Sequence, residues 1–405
     1  MKAMIVIVII LCMLTGCTTN TPNMENTESR LPQPQQTDGV PSESSTEDEK
    51  NIPEEDPSKT EETVPIDPLE VLLNSMTLEE RVGQLFLASC PSEAPLETIA
   101  KYHLGGLILF GRDFEEETPD SFKKKLEDYQ SASRIPLLIA VDEEGGSVCR
   151  VSDYEAFRTQ RFSSPRNLLA EGGIDALLKA EREKSLLLQS LGINVNVAPV
   201  CDITTDPSAF MYSRSMGLEP EETARIVESM VDVMDTYHVG SVLKHFPGYG
   251  NNTDTHIAMA VDNRSLETLE KRDLVPFRVS VSTESSAVMV SHTIVAALDS
   301  QNPATLSPAV HKYLRDNMGF EGVIVTDDLA MGAITNHYGS GEAAVLAVLA
   351  GNDLLCTWEY EEQYSAVLEA ARSGRISAEM IDDSVMRILI WKQRLGLLDV
   401  LPVSE

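Results

Sequence analysis

The sequence predicts an α/β protein in which one large domain is a (β/α)₈ barrel. From Asp67 onward, short apolar runs alternate with amphipathic stretches, which is typical of a parallel sheet flanked by helices. There are eight such runs, and several of them end in a charged or imidazole side chain. The carboxyl ends of barrel strands converge on one mouth, where active sites are built. We therefore expect the functional residues to meet at that mouth.

The apolar runs are continuous, as expected for strands that are buried on both faces. In chain order they are Gln84–Ser89, Gly106–Phe110, Pro136–Asp142, Val195–Val200, Gly240–Phe246, Ala287–His292, Gly322–Asp327 and Asp353–Thr357. The polar residues at their carboxyl ends are Asp142, Asp202, Lys244 with His245, His292 and Asp327. A helix cap would explain one such residue easily, but five much less well. An open doubly wound sheet is the alternative fold, and eight near-regular units disfavour it.

Helices are expected at both ends of this domain. Thr77-Leu78-Glu79-Glu80 is a capping box, in which Thr77 caps the helix and Glu80 reaches back to it. A helical stretch, Ala378–Leu395, comes shortly before the end of the chain. No second domain is expected, and the catalytic domain is assigned to residues 67–400.

Residues 1–16 are predicted to be a signal peptide. Lys2 is followed by the apolar run Met4–Leu14, which is shorter than the ~20 residues that a membrane-spanning helix needs. Leu14-Thr15-Gly16-Cys17 resembles the lipobox of bacterial lipoproteins, and the resemblance implies that Cys17 carries diacylglycerol after cleavage. We expect an extracytoplasmic protein that contacts the cell membrane only through this lipid. An ordinary secretory signal is the alternative.

Residues 17–66 are predicted to form a disordered tether behind the lipidated cysteine. The segment is rich in proline and acidic residues and has almost no aliphatic side chains, so it cannot build a core. An acidic recognition tail is the competing interpretation. The formal net charge of −32 argues against nucleic acid as a partner, because the phosphates would be repelled.

The remaining cysteines give no sign of a metal site. They are widely spaced and form no CxxC pair, and there is no histidine cluster at zinc spacing. We expect no metal or other cofactor. The cysteines are expected to be mostly buried free thiols, and they are Cys90, Cys149, Cys201 and Cys356.

The most informative segment is Lys244–His256, KHFPGYGNNTDTH. A strand delivers Lys244 and His245, and proline and glycines then permit a tight loop that carries Asp254 and His256. An aspartate beside a histidine can orient the imidazole and raise its pKa, giving a group that donates and accepts a proton near neutral pH. Taken alone, Asp-x-His on a loop is a weak signal, more often surface decoration or half of a metal site.

This segment resembles the KHFPGHG…DSH signature of family 3 glycoside hydrolases, in the β-N-acetylglucosaminidase branch. The resemblance implies that Asp254 and His256 act together as general acid/base. The chain departs from the signature at Tyr249, where the family has histidine, at Thr255 in place of serine, and in a spacer one residue shorter.

Further motifs resemble the same branch in the same order. Gly319–Leu329 is similar to the nucleophile strand, which implies that Asp327 attacks the anomeric carbon; Asp328 is the rival. Strand alternation would turn these two neighbours to opposite faces. Other motifs imply sugar-binding roles; they are Val141–Arg150 (VDEEGGSVCR), which carries Asp142 and Arg150, Ser213–Ser215, which carries Arg214, and the pair Lys244 and His245. Arg150 is expected to brace Asp142 or to donate to the sugar. His292 is expected to be a hydrogen-bonded wall residue.

The resemblance implies a retaining exo-β-N-acetylglucosaminidase acting on cell-wall-derived muropeptides or related glycans. Two alternatives stay open. One is a family 3 β-glucosidase or xylosidase, whose acid/base usually comes from a second domain. The other is an inactive surface lectin, which loss of Asp327 or His256 would have favoured; both are present.

Overall fold

A computed structural model describes residues 67–250, 259–283 and 286–398 of the chain. Its centre is a sheet of eight parallel strands in the order β10-β1-β2-β3-β4-β5-β7-β9. These strands are β1 Phe86–Ser89, β2 Gly106–Leu109, β3 Leu138–Val141, β4 Val195–Asn196, β5 Gly240–Phe246, β7 Ser286–Val290, β9 Ile324–Thr326 and β10 Leu355–Thr357. Two further short strands, β6 Val261–Asp262 and β8 Ile294–Val295, pair in parallel at the side.

The sheet closes on itself between β9 and β10. Val325 and Leu354 form a parallel bridge, and the amide of Thr326 donates to the carbonyl of Leu354 at 3.0 Å. The side chain of Thr326 also accepts from the amide of Cys356 at 2.9 Å. Closure confirms the (β/α)₈ barrel and excludes the open doubly wound sheet.

Helices follow the strands along the chain. They are α1 Pro68–Asn74, α2 Leu78–Gln84, α3 Pro95–Tyr102, α4 Pro119–Ser131, α5 Pro165–Leu191, α6 Pro220–Thr236, α7 Leu266–Lys271, α8 Val279–Ser282, α9 Pro308–Lys312, α10 Gly332–Thr335, α11 Ser340–Ala350, α12 Tyr360–Arg372 and α13 Ala378–Arg394. The predicted capping box is present, since Thr77 Oγ1 accepts from the Glu80 amide and Glu80 accepts from the Thr77 amide. None of the described helices is long and apolar enough to cross a membrane.

Each of the eight predicted runs contains a strand, although most strands are shorter than the runs. The run Val195–Val200 keeps only β4, because Pro199 has no N–H for a ladder hydrogen bond. The run Gln84–Ser89 loses its first two residues to the end of helix α2 and its cap. The small β6–β8 sheet was not expected from the sequence.

The interior of the barrel is apolar. At the amino-terminal ends of the strands it is closed by Trp391 from helix α13. Trp391 is 3% exposed and lies against Gly240, the first residue of β5. Leu87, Val242 and Leu354 pack in the same layer. The barrel is therefore a filled core rather than a channel, and any cavity at the opposite mouth is blind. The cysteines Cys90, Cys149, Cys201 and Cys356 are buried and free, as expected.

Candidate active site

A cavity of about 580 Å³ opens at the carboxyl ends of the strands. This is the mouth at which the sequence placed the functional residues. Its lining includes the six predicted site residues that lie within the described part of the chain, namely Asp142, Arg150, Arg214, Lys244, His245 and Asp327. The fold therefore brings together side chains that are up to 185 positions apart (142 to 327).

The pair Lys244 and His245 enters this cavity from β5. In a regular strand, neighbouring side chains point to opposite faces. Here the register between β5 and β7 shifts between Leu243 and Phe246, and this irregularity allows both side chains to line the same cavity.

A buried charge network surrounds Lys244. Its ammonium lies 2.5 Å from Asp142 Oδ1 and 2.6 Å from Glu144 Oε1. Glu144 also accepts two hydrogen bonds from Arg214, at 2.6 Å from Nη2 and 2.9 Å from Nε. Two cations and two carboxylates therefore share one site, and their formal charges balance. Because Arg214 is held in a bidentate pair inside the cavity, it is not a surface salt bridge.

The charges in this network fix each other's protonation. Burial alone would raise the pKa of Glu144, but Lys244 and Arg214 outweigh it and hold that pKa well below its usual range. Burial would likewise lower the pKa of Lys244, but Asp142 and Glu144 outweigh burial and raise it. Glu144 and Lys244 thus stay ionised at neutral pH. An ionised lysine and carboxylate can donate to and accept from neighbouring sugar hydroxyls.

His245 is oriented by the buried Asp202, which lies in the segment between strands β4 and β5. Its Nδ1 lies 2.8 Å from Asp202 Oδ2, and Nε2 lies 3.4 Å from Arg214 Nη2. Asp202 Oδ1 accepts from the Tyr249 amide at 2.7 Å. Asp202 therefore fixes both the imidazole and the start of the loop after β5.

Tyr249, the departure from the family signature, is buried beside His245. It is 1% exposed, and its ring meets that of His245 edge-on at 5.1 Å. Phe210 and Met211 pack in the same small apolar cluster. The tyrosine therefore packs against a site residue without occupying the cavity lining.

Arg150 reaches the cavity through a loop that is organised by Glu143. The buried Glu143 carboxylate accepts from the amides of Arg150 at 2.8 Å and Val151 at 2.7 Å, and it also binds the Ser152 hydroxyl. The expected bracing of Asp142 by Arg150 is wrong, because the partner of Asp142 is Lys244. Arg150 Nε is buried and has no hydrogen-bond partner among the described residues, while other atoms of the side chain line the cavity.

Asp327 and Asp328 both line the cavity, which corrects the expectation that they face opposite sides. Strand β9 ends at Thr326, and alternation does not continue past it. The Asp328 carboxylate accepts from the amide of Ala330 at 2.9 Å, and its backbone carbonyl lies 2.9 Å from His292 Nε2. Burial raises the pKa of Asp328 to about 6, and the charge of Asp327 adds to this effect. The Asp328 carboxylate therefore stabilises the turn that follows strand β9.

His292 is hydrogen-bonded, as expected, but it is not part of the cavity wall. It is fully buried and does not line the cavity, and its Nδ1 lies 2.7 Å from Thr305 Oγ1. The predicted acid/base residues Asp254 and His256 lie outside the described residues, as does Cys17. Within the described residues, no group of three His, Cys, Asp or Glu side chains is placed to hold a metal ion.

Sequence reasoning missed Glu143, Glu144 and Asp202 as site residues. Two adjacent acids directly after a buried apolar strand were the available signal, because such charges need partners when they are buried. The sequence identifies Asp202 as a strand-end residue but predicts no binding or catalytic role for it. All three act by holding the side chains or loops that line the cavity.

The chain is similar to proteins of one family over most of its length. A family model described as the glycosyl hydrolase family 3 N-terminal domain matches residues 77–390. A beta-hexosaminidase of Nitrosomonas eutropha is 33% identical over 294 residues, which are 66% of this chain and 82% of that protein. Beta-hexosaminidase LpqI of Mycobacterium tuberculosis is 30% identical over 325 residues, covering 77% of this chain and 82% of that one.

A solved structure of a glycoside hydrolase family 3 beta-N-acetylglucosaminidase from Paenibacillus has a TM-score of 0.74 and 36% sequence identity. The likeness covers 80% of this chain and 63% of that chain. Together with the family match, it confirms the family and the enzyme class that the motifs predicted. The chain belongs to glycosyl hydrolase family 3 and is a glycoside hydrolase.

Proposed function

We propose that the protein is a retaining exo-β-N-acetylglucosaminidase that removes a terminal N-acetylglucosamine from larger glycans. The observation that carries this proposal is the blind cavity in which Asp327 lies with a balanced set of buried hydrogen-bonding charges. A blind cavity admits the end of a glycan rather than its middle. The Paenibacillus protein is a beta-N-acetylglucosaminidase and the other two similar proteins are beta-hexosaminidases, which supports N-acetylglucosamine as the terminal sugar.

In the proposed mechanism, Asp327 attacks the anomeric carbon and forms a covalent glycosyl intermediate. Asp142, Lys244, His245 and Arg214 hold the sugar through its hydroxyls, with Arg150 as a further donor. Because these side chains sit on strand ends or are held by buried carboxylates, the sugar can be fixed along the line of attack.

We assign the proton transfers to His256, oriented by Asp254, on the basis of the family motif. His256 protonates the leaving oxygen in the first step and deprotonates the incoming water in the second. A neutral or cationic imidazole would not repel an anionic acceptor as a carboxylate would, so phosphate is a second acceptor to be tested. No step in this scheme needs a metal or organic cofactor.

The proposal is tested with chromogenic β-N-acetylglucosaminide and β-glucoside substrates, assayed side by side with and without phosphate. We expect a strong preference for the N-acetylglucosaminide and a product of retained β configuration by NMR. A preference for the glucoside would favour a family 3 β-glucosidase. Binding of N-acetylglucosamine glycans without turnover would favour a lectin.

We further propose that the enzyme is anchored to the outer face of the cell membrane through Cys17 and acts on glycans derived from the cell wall. The lipobox Leu14–Cys17 supports the anchor. Cys17→Ala should move the enzyme from the membrane fraction to the soluble one without loss of specific activity. A Cys12→Ala variant is the matched control, and continued membrane association of Cys17→Ala would contradict the anchor. Release of N-acetylglucosamine from purified muropeptides tests the substrate.

A further inference from the structure

The rim of the active-site cavity carries an exposed tryptophan. Trp358 follows strand β10, is 39% exposed, and lines the cavity together with Phe110, which follows β2. The sequence has only two tryptophans, and the other one, Trp391, is buried at the closed end of the barrel. A large apolar side chain left in contact with water at the edge of a ligand cavity favours a binding role.

Trp358 is held in place by two neighbours from the loop after strand β2. The Phe110 ring lies 4.5 Å from the indole, tilted by 38°, and the Arg112 guanidinium lies 4.3 Å from the indole centroid. Arg112 is itself fixed, because it donates to Ser89 Oγ at 3.0 Å and to the Cys90 carbonyl at 2.8 Å. The indole is thus preorganised, and a ligand would lose little side-chain entropy on stacking against it.

The cavity has a polar inner part and an aromatic rim. Lys244 and His245 are 2% and 5% exposed, whereas Trp358 is 39% exposed. A terminal sugar whose hydroxyls reach Lys244 and Asp142 has the closed end of the cavity behind it. Its leaving group must therefore point out over the rim.

Trp358 also adjoins the attacking residue. Trp358 follows β10 and Asp327 follows β9, the two strands between which the barrel closes, and both residues line the cavity. The indole consequently lies beside the strand end that presents the nucleophile, which is where the first group beyond the anomeric carbon emerges.

We propose that Phe110, Arg112 and Trp358 form an aglycone shelf, a binding site for the second sugar of the substrate. This inference rests on the proposed glycosidase function. The weakly polar C–H face of a pyranose ring stacks on the part of the indole that Phe110 and Arg112 leave exposed. The shelf selects a saccharide leaving group over a small one, and its binding energy is used in the glycosylation step.

The test compares two substrates that differ only in the leaving group. Chitobiose places a sugar on the shelf, whereas N-acetylglucosaminyl fluoride places a single atom there. Trp358→Ala should lower kcat/KM for chitobiose about tenfold more than for the fluoride, which corresponds to ~1.4 kcal/mol. Trp358→Phe should keep most of the preference. Leu186→Ala, an exposed apolar residue on helix α5, is the matched control.

Ligand binding gives a second readout that does not depend on turnover. A thio-linked chitobiose should change tryptophan fluorescence in the wild type, and the change should vanish in Trp358→Phe, which keeps only Trp391. N-Acetylglucosamine alone should cause little change. If the wild type cleaves both substrates and Trp358→Ala loses both equally or neither, the shelf alone is overturned. If the wild type cleaves neither, the proposed function fails and the shelf fails with it.

Discussion

Replacing Glu144 with glutamine should damage both the stability and the activity of the enzyme. The carboxylate sits between Lys244 Nζ at 2.6 Å and Arg214, which it binds through Nη2 at 2.6 Å and Nε at 2.9 Å. Glutamine keeps one acceptor oxygen but turns an NH₂ group toward a cation. Two charge-assisted hydrogen bonds are lost or weakened, and the network is left with an uncompensated positive charge.

The expected loss in the free energy of unfolding is ~3–5 kcal/mol, the usual cost of breaking a buried ion pair by removing one partner. Displacement of Lys244 and Arg214 by about 1 Å should lower kcat/KM by about 10²-fold. Urea denaturation gives the first quantity, and initial rates on a chromogenic N-acetylglucosaminide give the second. Glu228→Gln, at an exposed position on helix α6, should change neither.

The dependence of this effect on pH has a definite sign. Because the two cations hold the pKa of Glu144 below its ordinary value, its stabilisation is fully present above the unfolded value and is lost as the pH falls through the folded one. The stability gap between wild type and Glu144→Gln should therefore be constant from pH 7 to about 5 and narrow below about pH 4. In Glu144→Gln/Arg214→Met, the total loss should be smaller than the sum of the single losses, because one buried cation leaves with the anion. A Glu144→Gln enzyme within ~1 kcal/mol and threefold of wild type would refute this reasoning.

Four further variants test other positions. Asp327→Ala should lower kcat by several orders of magnitude, because Asp327 forms the covalent bond to the sugar. Asp328→Asn should lower kcat less than about tenfold. Labelling of Asp328 by a 2-fluoro glycoside would contradict this assignment. His256→Ala should lose ~10²–10⁴-fold on a disaccharide but far less on an aryl glycoside with an acidic leaving group, and rates equally affected across leaving groups would move the proton donor elsewhere. Burial lowers the pKa of Lys392 to about 7, so the wild type should gain stability relative to Lys392→Met by up to ~1.4 kcal/mol per pH unit as the pH rises from 7 toward 10. A difference in unfolding free energy that does not change with pH would mean that Lys392 stays protonated.

The strand-end residues could be predicted from the sequence because their positions follow from local pattern and barrel topology. Lys244 and His245 end a seven-residue apolar strand, and Asp327 follows β9 directly, so the fold alone places them at one mouth. The partner of Asp142 could not be predicted. Its pairing with Lys244 joins residues 102 positions apart through loops whose shape the motif does not specify.

The rim residues were missed for a different reason. Trp358 and Phe110 lie at the ends of apolar runs. At such a position the sequence pattern predicts that an aromatic side chain is the last core residue of a strand. Only the closed barrel shows that these two ends meet at the rim of one cavity, with ring centroids 4.5 Å apart. Exposure of an aromatic residue depends on what other loops cover, and one loop's sequence does not determine that.

The described residues on either side of segment 251–258 bear on how the site tolerates a shorter spacer before Asp254. Arg264 donates to the Gly248 carbonyl at 3.3 Å, ahead of the segment, and to the Asp262 carboxylate at 2.9 Å, behind it. The amide of Ile294 binds the Ala260 carbonyl at 2.8 Å and continues this anchor into the small β6–β8 sheet. The points where the segment leaves and rejoins the barrel are therefore held by Arg264, by one short sheet and by Asp202, which accepts from the Tyr249 amide at 2.7 Å. A change of one residue in the segment's length can leave the Arg264 and Ala260 contacts in place, whereas Asp202 couples the start of the segment to the sugar-binding His245.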